Sequence, residues 1–186
     1  VRQVTVHTVI SAPREEIFDF VADLSLRPAY CDHYLADYRL ARANPRGEGA
    51  AARFKLNAPL AKEWGEIAIK AADRPRRIVE EGRVGRLGRS RLAAVYDFIP
   101  EGGGHTRVEL TIYSEPKTVV DRLKEAGAKR WIQRKSKKSL ERLRRIFEEQ
   151  PRGDLARVTV AGMDPLKAPR FGDHVPPPRV LAPADR

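Results

Sequence analysis

Gln3-Val4-Thr5-Val6-His7-Thr8-Val9-Ile10-Ser11-Ala12-Pro13-Arg14-Glu15-Glu16-Ile17-Phe18-Asp19-Phe20-Val21-Ala22-Asp23 is the stretch on which the fold turns. Its first eight residues alternate in polarity and are rich in β-branched side chains, which reads as a strand with one buried face. The period then changes. Ser11 offers a capping hydroxyl, Pro13 suits a first helical turn, and Glu15 and Glu16 stand where a helix dipole favours acids. Ile17, Phe18, Phe20, Val21 and Leu24 recur at helical spacing, so an amphipathic helix follows the strand. Residues 26–35, with Pro28, Tyr30, His33 and Tyr34, read as a second short helix.

Beyond it the pattern returns to alternation. Residues 38–42, 50–57, 63–72, 77–84, 91–99 and 106–113 read as strands, separated by turn signals such as Asp73-Arg74-Pro75 and Gly102-Gly103-Gly104. Six consecutive strands at hairpin spacing predict an antiparallel meander. Residues 116–149 read as helix, with an apolar stripe that changes phase. Val119, Val120, Leu123 and Ala126 share one face, whereas Ile132, Ser136, Leu140, Leu143 and Phe147 share another. Gly127 lies between the two sets and predicts a break there, and Trp131 falls off the second stripe. The domain is thus expected to span 1–150. Residues 151–186, with Pro176-Pro177-Pro178, are expected to be a disordered or extended tail, with a brief strand or extended stretch at 155–160.

The chain has 186 residues and a formal net charge of +11, enough length for one domain with a substantial core. Residues 116–149 hold twelve basic and five acidic side chains, the densest run lying at 129–145. Lys129, Arg130, Arg134, Lys135, Lys137 and Lys138 make a surface that attracts anions, although a solvated helix face gives the same pattern. Cys31 is the only cysteine, which excludes a disulfide framework and a Cys-based zinc site. No apolar run approaches the ~20 residues that cross a bilayer, and no basic leader with an apolar core precedes the first strand. A soluble, cytoplasmic monomer is the expectation.

Strand, two short helices, six antiparallel strands and a long closing helix make an α+β arrangement that resembles the helix-grip fold of the START-like (SRPBCC) superfamily. Within it the chain is most similar to the bacterial polyketide cyclase/dehydrase and lipid-transport group. The resemblance is carried by residues 10–23 quoted above, by Arg46-Gly47-Glu48-Gly49, by Phe98-Ile99-Pro100-Glu101-Gly102-Gly103-Gly104-His105-Thr106-Arg107-Val108, and by Leu140-Glu141-Arg142-Leu143. One departure stands in the second helical segment. Many relatives carry a Trp there, and this chain has Ala29-Tyr30-Cys31-Asp32-His33-Tyr34.

The resemblance implies a curved sheet of about seven strands wrapped around the closing helix, with a cavity between them. Alternation nominates its inward residues: Phe54 and Leu56, Ile67 and Ile69, Leu92, Tyr96 and Phe98, and Leu110, with Ile132 and Leu140 from the helix. Packing alone accounts for each singly, while as a group they point to an apolar-ligand pocket. Tyr96, His33 and Glu80 are the candidate polar or acid/base groups, with Tyr30 and Tyr38 near the pocket. His7, His105 and His174 are scattered, so no metal site is expected, and no nucleotide or other cofactor motif is present. Ser90 and Ser114 sit in no nucleophile elbow.

Three functions compete. The first is a non-catalytic binder or carrier of a small hydrophobic molecule (a lipid, quinone or polyketide-like aromatic), docking through its basic helix on an anionic membrane or an acidic carrier protein. The second is a cyclase or dehydratase, for which Tyr96, then His33 or Glu80, would supply the acid/base group; the reading leans away from an enzyme. The third, an RNA- or ribosome-associated protein, uses the same basic surface but has only Trp131 to stack on bases.

Overall fold

The computed structural model describes residues 2–58, 61–85, 90–115, 119–149 and 158. β1 (Arg2–Ile10) leads into α1 (Arg14–Val21), a 3₁₀ turn (Leu24–Leu26) and α2 (Pro28–Cys31). There follow β2 (Leu35–Leu40), β3 (Ala51–Ala58), β4 (Ala61–Asp73), β5 (Arg77–Val84), β6 (Ser90–Pro100) and β7 (Thr106–Glu115), and α3 (Val119–Glu148) closes the chain's regular structure. The strands form one antiparallel sheet in the order β1-β7-β6-β5-β4-β3-β2. The last six strands are therefore a meander, and β1 returns to pair with β7 from Arg2↔Ser114 to Ile10↔Thr106. This is the expected helix-grip architecture.

Three local expectations are corrected. α1 starts at Arg14 with Pro13 as its N-cap and no side-chain cap, because Ser11 stands too far before the first turn for its hydroxyl to reach it. β2 runs over Leu35–Leu40 rather than 38–42. Its register slips between Ala36 and Arg39, where Asp37 takes φ 50°. That bulge reverses the parity of the strand, so Leu35, Tyr38 and Leu40 are all buried. Finally, α3 passes through Gly127 as continuous helix. A mid-helix glycine costs only about 1 kcal/mol relative to alanine, and it keeps its N–H and C=O for the helical ladder.

The core fills the concave side of the sheet. At one end it is sealed: Ile10, Ile17, Phe18, Val21, Phe98, Val108, Leu143 and Ile146 are buried. Phe18 meets Phe98 edge-on at 5.4 Å, and Phe20 meets Phe147 in the same way at 5.4 Å. Trp131, off the helical stripe, is nevertheless half-buried against Tyr34, with ring centroids 6.1 Å apart. The expected tail and the stretch at 155–160 lie outside the described residues, save Val158, whose N–H donates to the Ser25 carbonyl at 3.0 Å. Among the described residues no helix is long and apolar enough to cross a membrane.

Candidate functional site

The 3₁₀ turn is pinned before anything else is. Asp23 accepts from the Ser25 N–H at 3.0 Å and from Arg46 Nε at 2.9 Å, while the Leu24 N–H donates to the Pro45 carbonyl at 2.9 Å. These bonds tie the turn to the loop that carries Arg46-Gly47-Glu48-Gly49 and fix the direction in which Arg27 leaves the backbone. Its guanidinium enters the concave side of the sheet, where only 3% of the residue is exposed.

There Arg27 meets Glu80, the inward carboxylate of β5, through both terminal nitrogens. Nη1 also donates to the Tyr96 hydroxyl at 2.8 Å. The guanidinium lies over two aromatic rings, 5.6 Å from the centroid of Tyr30 and 5.3 Å from that of Tyr96. Burial is the largest single influence and opposes the charge on Arg27, yet Glu80 together with Tyr30, Tyr96 and Tyr38 outweighs it and holds the group well above its ordinary range. Desolvation pushes the Tyr30, Tyr38 and Tyr96 hydroxyls up, so each keeps its proton. The cluster still has unused hydrogen-bonding capacity. Arg27 Nε, the Tyr38 hydroxyl and, on the buried face of α3, Ser136 Oγ have no partner among the described residues. The Tyr30 hydroxyl approaches that of Tyr96 without forming a well-aligned hydrogen bond.

Apolar side chains extend from this cluster toward the other end of the sheet. Glu80 stands in register beside Ala94, Ala94 beside Ile112, and Ile112 beside Val4. Val4, Leu56, Ala94 and Ile112 on the sheet and Ile132 on α3 pack against the core but are only half-buried, as is Leu92. Of the expected pocket residues, Phe54, Ile67, Ile69, Tyr96, Phe98, Leu110 and Leu140 are buried. Leu56, Leu92 and Ile132 are half-buried.

Of the acid/base candidates, the structure brings Tyr96 and Glu80 together and leaves His33 elsewhere. His33 is half-buried under α3, its Nε2–H donating to the Lys135 carbonyl at 3.2 Å. Desolvation, with the cations Arg142, Lys135 and Lys138 nearby, holds its imidazole below the ordinary range. Cys31 is buried and its thiol is raised by desolvation, which makes it a poor nucleophile. Sequence reasoning missed Arg27. The available signal was Glu80 itself, since a carboxylate on the inward face of a strand requires a cation.

Two further surfaces frame the site. Lys129, Arg130, Arg134, Lys137 and Lys138 are exposed on α3 and Lys135 is half-buried. Arg142 and Arg144, by contrast, pair with Asp32 and with Glu141 and Glu148. On the sheet's opposite, outer face a cleft of about 740 Å³ is floored by Ala51, Ala68 and Ala93 and bordered by Arg83, Arg91 and Glu115. Among the described residues no three His, Cys, Asp or Glu side chains are grouped to hold a metal ion.

A seven-stranded antiparallel sheet curved over one long helix, with a polar cluster at its centre, defines a helix-grip protein. The family of polyketide cyclases/dehydrases and lipid-transport proteins matches residues 1–148, and the chain belongs to it. Among solved structures, TTHA0849 from Thermus thermophilus is 20% identical with a TM-score of 0.58, covering 77% of this chain and 94% of its own. The KanY protein (ms6282) is 18% identical with a TM-score of 0.64, over 80% of this chain and 99% of its own. CV1439 from Chromobacterium violaceum is 17% identical with a TM-score of 0.53, over 81% of this chain and 100% of its own. At these identities the likeness is one of fold. A search of curated proteins finds no match in sequence.

Proposed function

We infer that the protein binds and carries a small, largely apolar molecule between the sheet and α3. The observation that carries this reading is the graded burial of the concave face. Phe98, Val108 and Leu143 are sealed at one end, while Val4, Leu56, Leu92, Ile112 and Ile132 remain half-buried at the other. A row of apolar side chains left partly open to water, ending on buried polar groups with unused hydrogen-bonding capacity, is the usual composition of a small-molecule site. The cationic outer face of α3 supports docking of the loaded protein on an anionic lipid surface.

The test is native mass spectrometry of protein purified without detergent, followed by extraction and identification of what it holds. A retained apolar molecule is the expected result. A folded protein that arrives empty and binds no apolar probe counts against the reading.

One observation favours a second reading, a cyclase or dehydratase. The Tyr96 hydroxyl is held by Arg27 at 2.8 Å beside the Glu80 carboxylate, and on this reading it hydrogen-bonds a substrate carbonyl. A Tyr96→Phe variant that keeps affinity but loses turnover supports this reading. Absence of turnover by the native protein on poly-β-keto substrates rules against it.

A further inference from the structure

We propose that the polar end of the bound molecule is an uncharged oxygen (a ketone, quinone or phenol) received by Arg27 and Tyr38, and that carboxylates and phosphate-bearing lipids are excluded. The proposal rests on the preceding reading, that a small molecule enters between the sheet and α3.

Arg27 uses its two terminal nitrogens on Glu80 and Tyr96 and keeps Nε–H unused. Tyr38 is 8% exposed and its hydroxyl has no partner among the described residues. Desolvation keeps that hydroxyl protonated, so it remains a donor. Glu80, the strong acceptor of the cluster, is occupied by Arg27. The unused capacity is thus weighted toward donors, and an oxygen acceptor would complete it.

Charge then decides which acceptor. Arg27 and Glu80 are 4% and 3% exposed at their side chains and sum to zero. Their surroundings are Tyr30, Tyr96 and the apolar residues that flank Glu80 in register, Ile69 and Ala94. A third, negative group there would be a buried charge with no counter-ion of its own, facing the Glu80 carboxylate. It would have to take up a proton or stay out. A neutral carbonyl or phenol makes the same hydrogen bonds without that cost. Its apolar body would lie along Ala94, Ile112 and Val4, which continue directly from Glu80 across the sheet. Ordered water also satisfies such groups in protein interiors, and the experiment separates the two.

The experiment is calorimetric titration of the full chain near neutral pH with probes that share a body and differ in the head. 2-Acetonaphthone and 2-naphthol are compared with 2-naphthoate, and 2-undecanone with decanoate. The ketones and the phenol are expected to bind at least about tenfold more tightly than the carboxylate of the same body. The ketones are also expected to bind with no proton uptake when buffers of different ionisation enthalpy are compared, a readout that needs no variant. In a Glu80→Gln variant that folds, Arg27 is left uncompensated and the preference is expected to reverse toward the carboxylates. Native protein that binds the carboxylates as tightly as the ketones overturns the proposal and leaves the carrier reading standing. Failure of every probe to bind overturns both, the buried groups then being served by water alone.

Discussion

Arg27 is tolerated in the core because Glu80 takes both of its terminal nitrogens, and the dependence runs both ways. Removing one partner leaves an uncompensated buried charge, so Glu80→Ala is expected to lower unfolding free energy by about 3–5 kcal/mol in urea denaturation. The double change Arg27→Met with Glu80→Leu removes both charges and is expected to cost far less than either single change. A double variant as unstable as Glu80→Ala would show that the pair is a packing element rather than an electrostatic unit. Neither half was legible as a pair in the sequence. Glu80 is conspicuous on the inward parity of its strand, but Arg27 follows Leu24-Ser25-Leu26 and reads as a surface residue until the turn held by Asp23 aims it inward. His33 gives a second test at this scale. Its folded-state proton affinity is depressed, chiefly by burial, so the unfolded chain takes up the proton at the higher pH. The contribution is therefore complete above about pH 6.5 and is lost as pH falls below that value. The drop in thermal midpoint between neutral pH and pH near 5 is expected to be smaller in His33→Gln, and an unchanged pH profile would exclude His33 as its source.

Elements were readable from the sequence in proportion to how locally their signals are encoded. β5 was predicted at the observed bounds, Arg77–Val84, because a turn precedes it and Ile78, Glu80 and Gly82 alternate cleanly with outward residues. β2 was misplaced because its bulge at Asp37 breaks the two-residue period on which such a reading depends. The continuity of α3 was missed because a phase change in the apolar stripe looks like a break, whereas a helix keeps its hydrogen bonds whichever face is buried. Gly82 tests how tightly the strands are set. A Cβ at this position would lie 2.0 Å from the Glu66 carbonyl oxygen, a backbone atom that cannot rotate away. At Gly65 the nearest obstacle is the Phe54 ring at 2.7 Å, a side chain that can shift. Gly82→Ala is expected to cost about 1–3 kcal/mol, and more than Gly65→Ala, in parallel chemical denaturation. The reverse order would mean that the Phe54–Tyr38 stack, rather than the β4–β5 backbone, sets the limit.

For the whole molecule, the net charge of +11 matters through its distribution. At 100° per residue, Arg130, Arg134, Lys137 and Lys138 fall within about 100° of one another on α3, opposite the buried Ser136, Leu140 and Leu143. None of these four has an ion-pair partner among the described residues, whereas Arg142 and Arg144 on the flanks are paired. A cationic stripe on the outside of the helix that closes the proposed pocket would bring the carrier to anionic lipid without covering the concave face. Each such cation contributes about 1 kcal/mol near an anionic membrane, and the attraction decays over a Debye length of about 10 Å at 0.1 M salt. The protein is therefore expected to co-sediment with phosphatidylserine-containing vesicles at low ionic strength, to be released near molar salt, and to ignore phosphatidylcholine vesicles. Reversing Arg134, Lys137 and Lys138 to Glu is expected to weaken vesicle binding by at least about a hundredfold, since three favourable contributions of this size are lost. Pocket occupancy should be unchanged, because these side chains lie on the solvent face. RNA makes the same salt dependence, so vesicle binding is also measured against added polyuridylate. Displacement of the protein from vesicles at stoichiometric RNA would move the stripe to a nucleic-acid role, whereas retention on lipid supports delivery at a membrane.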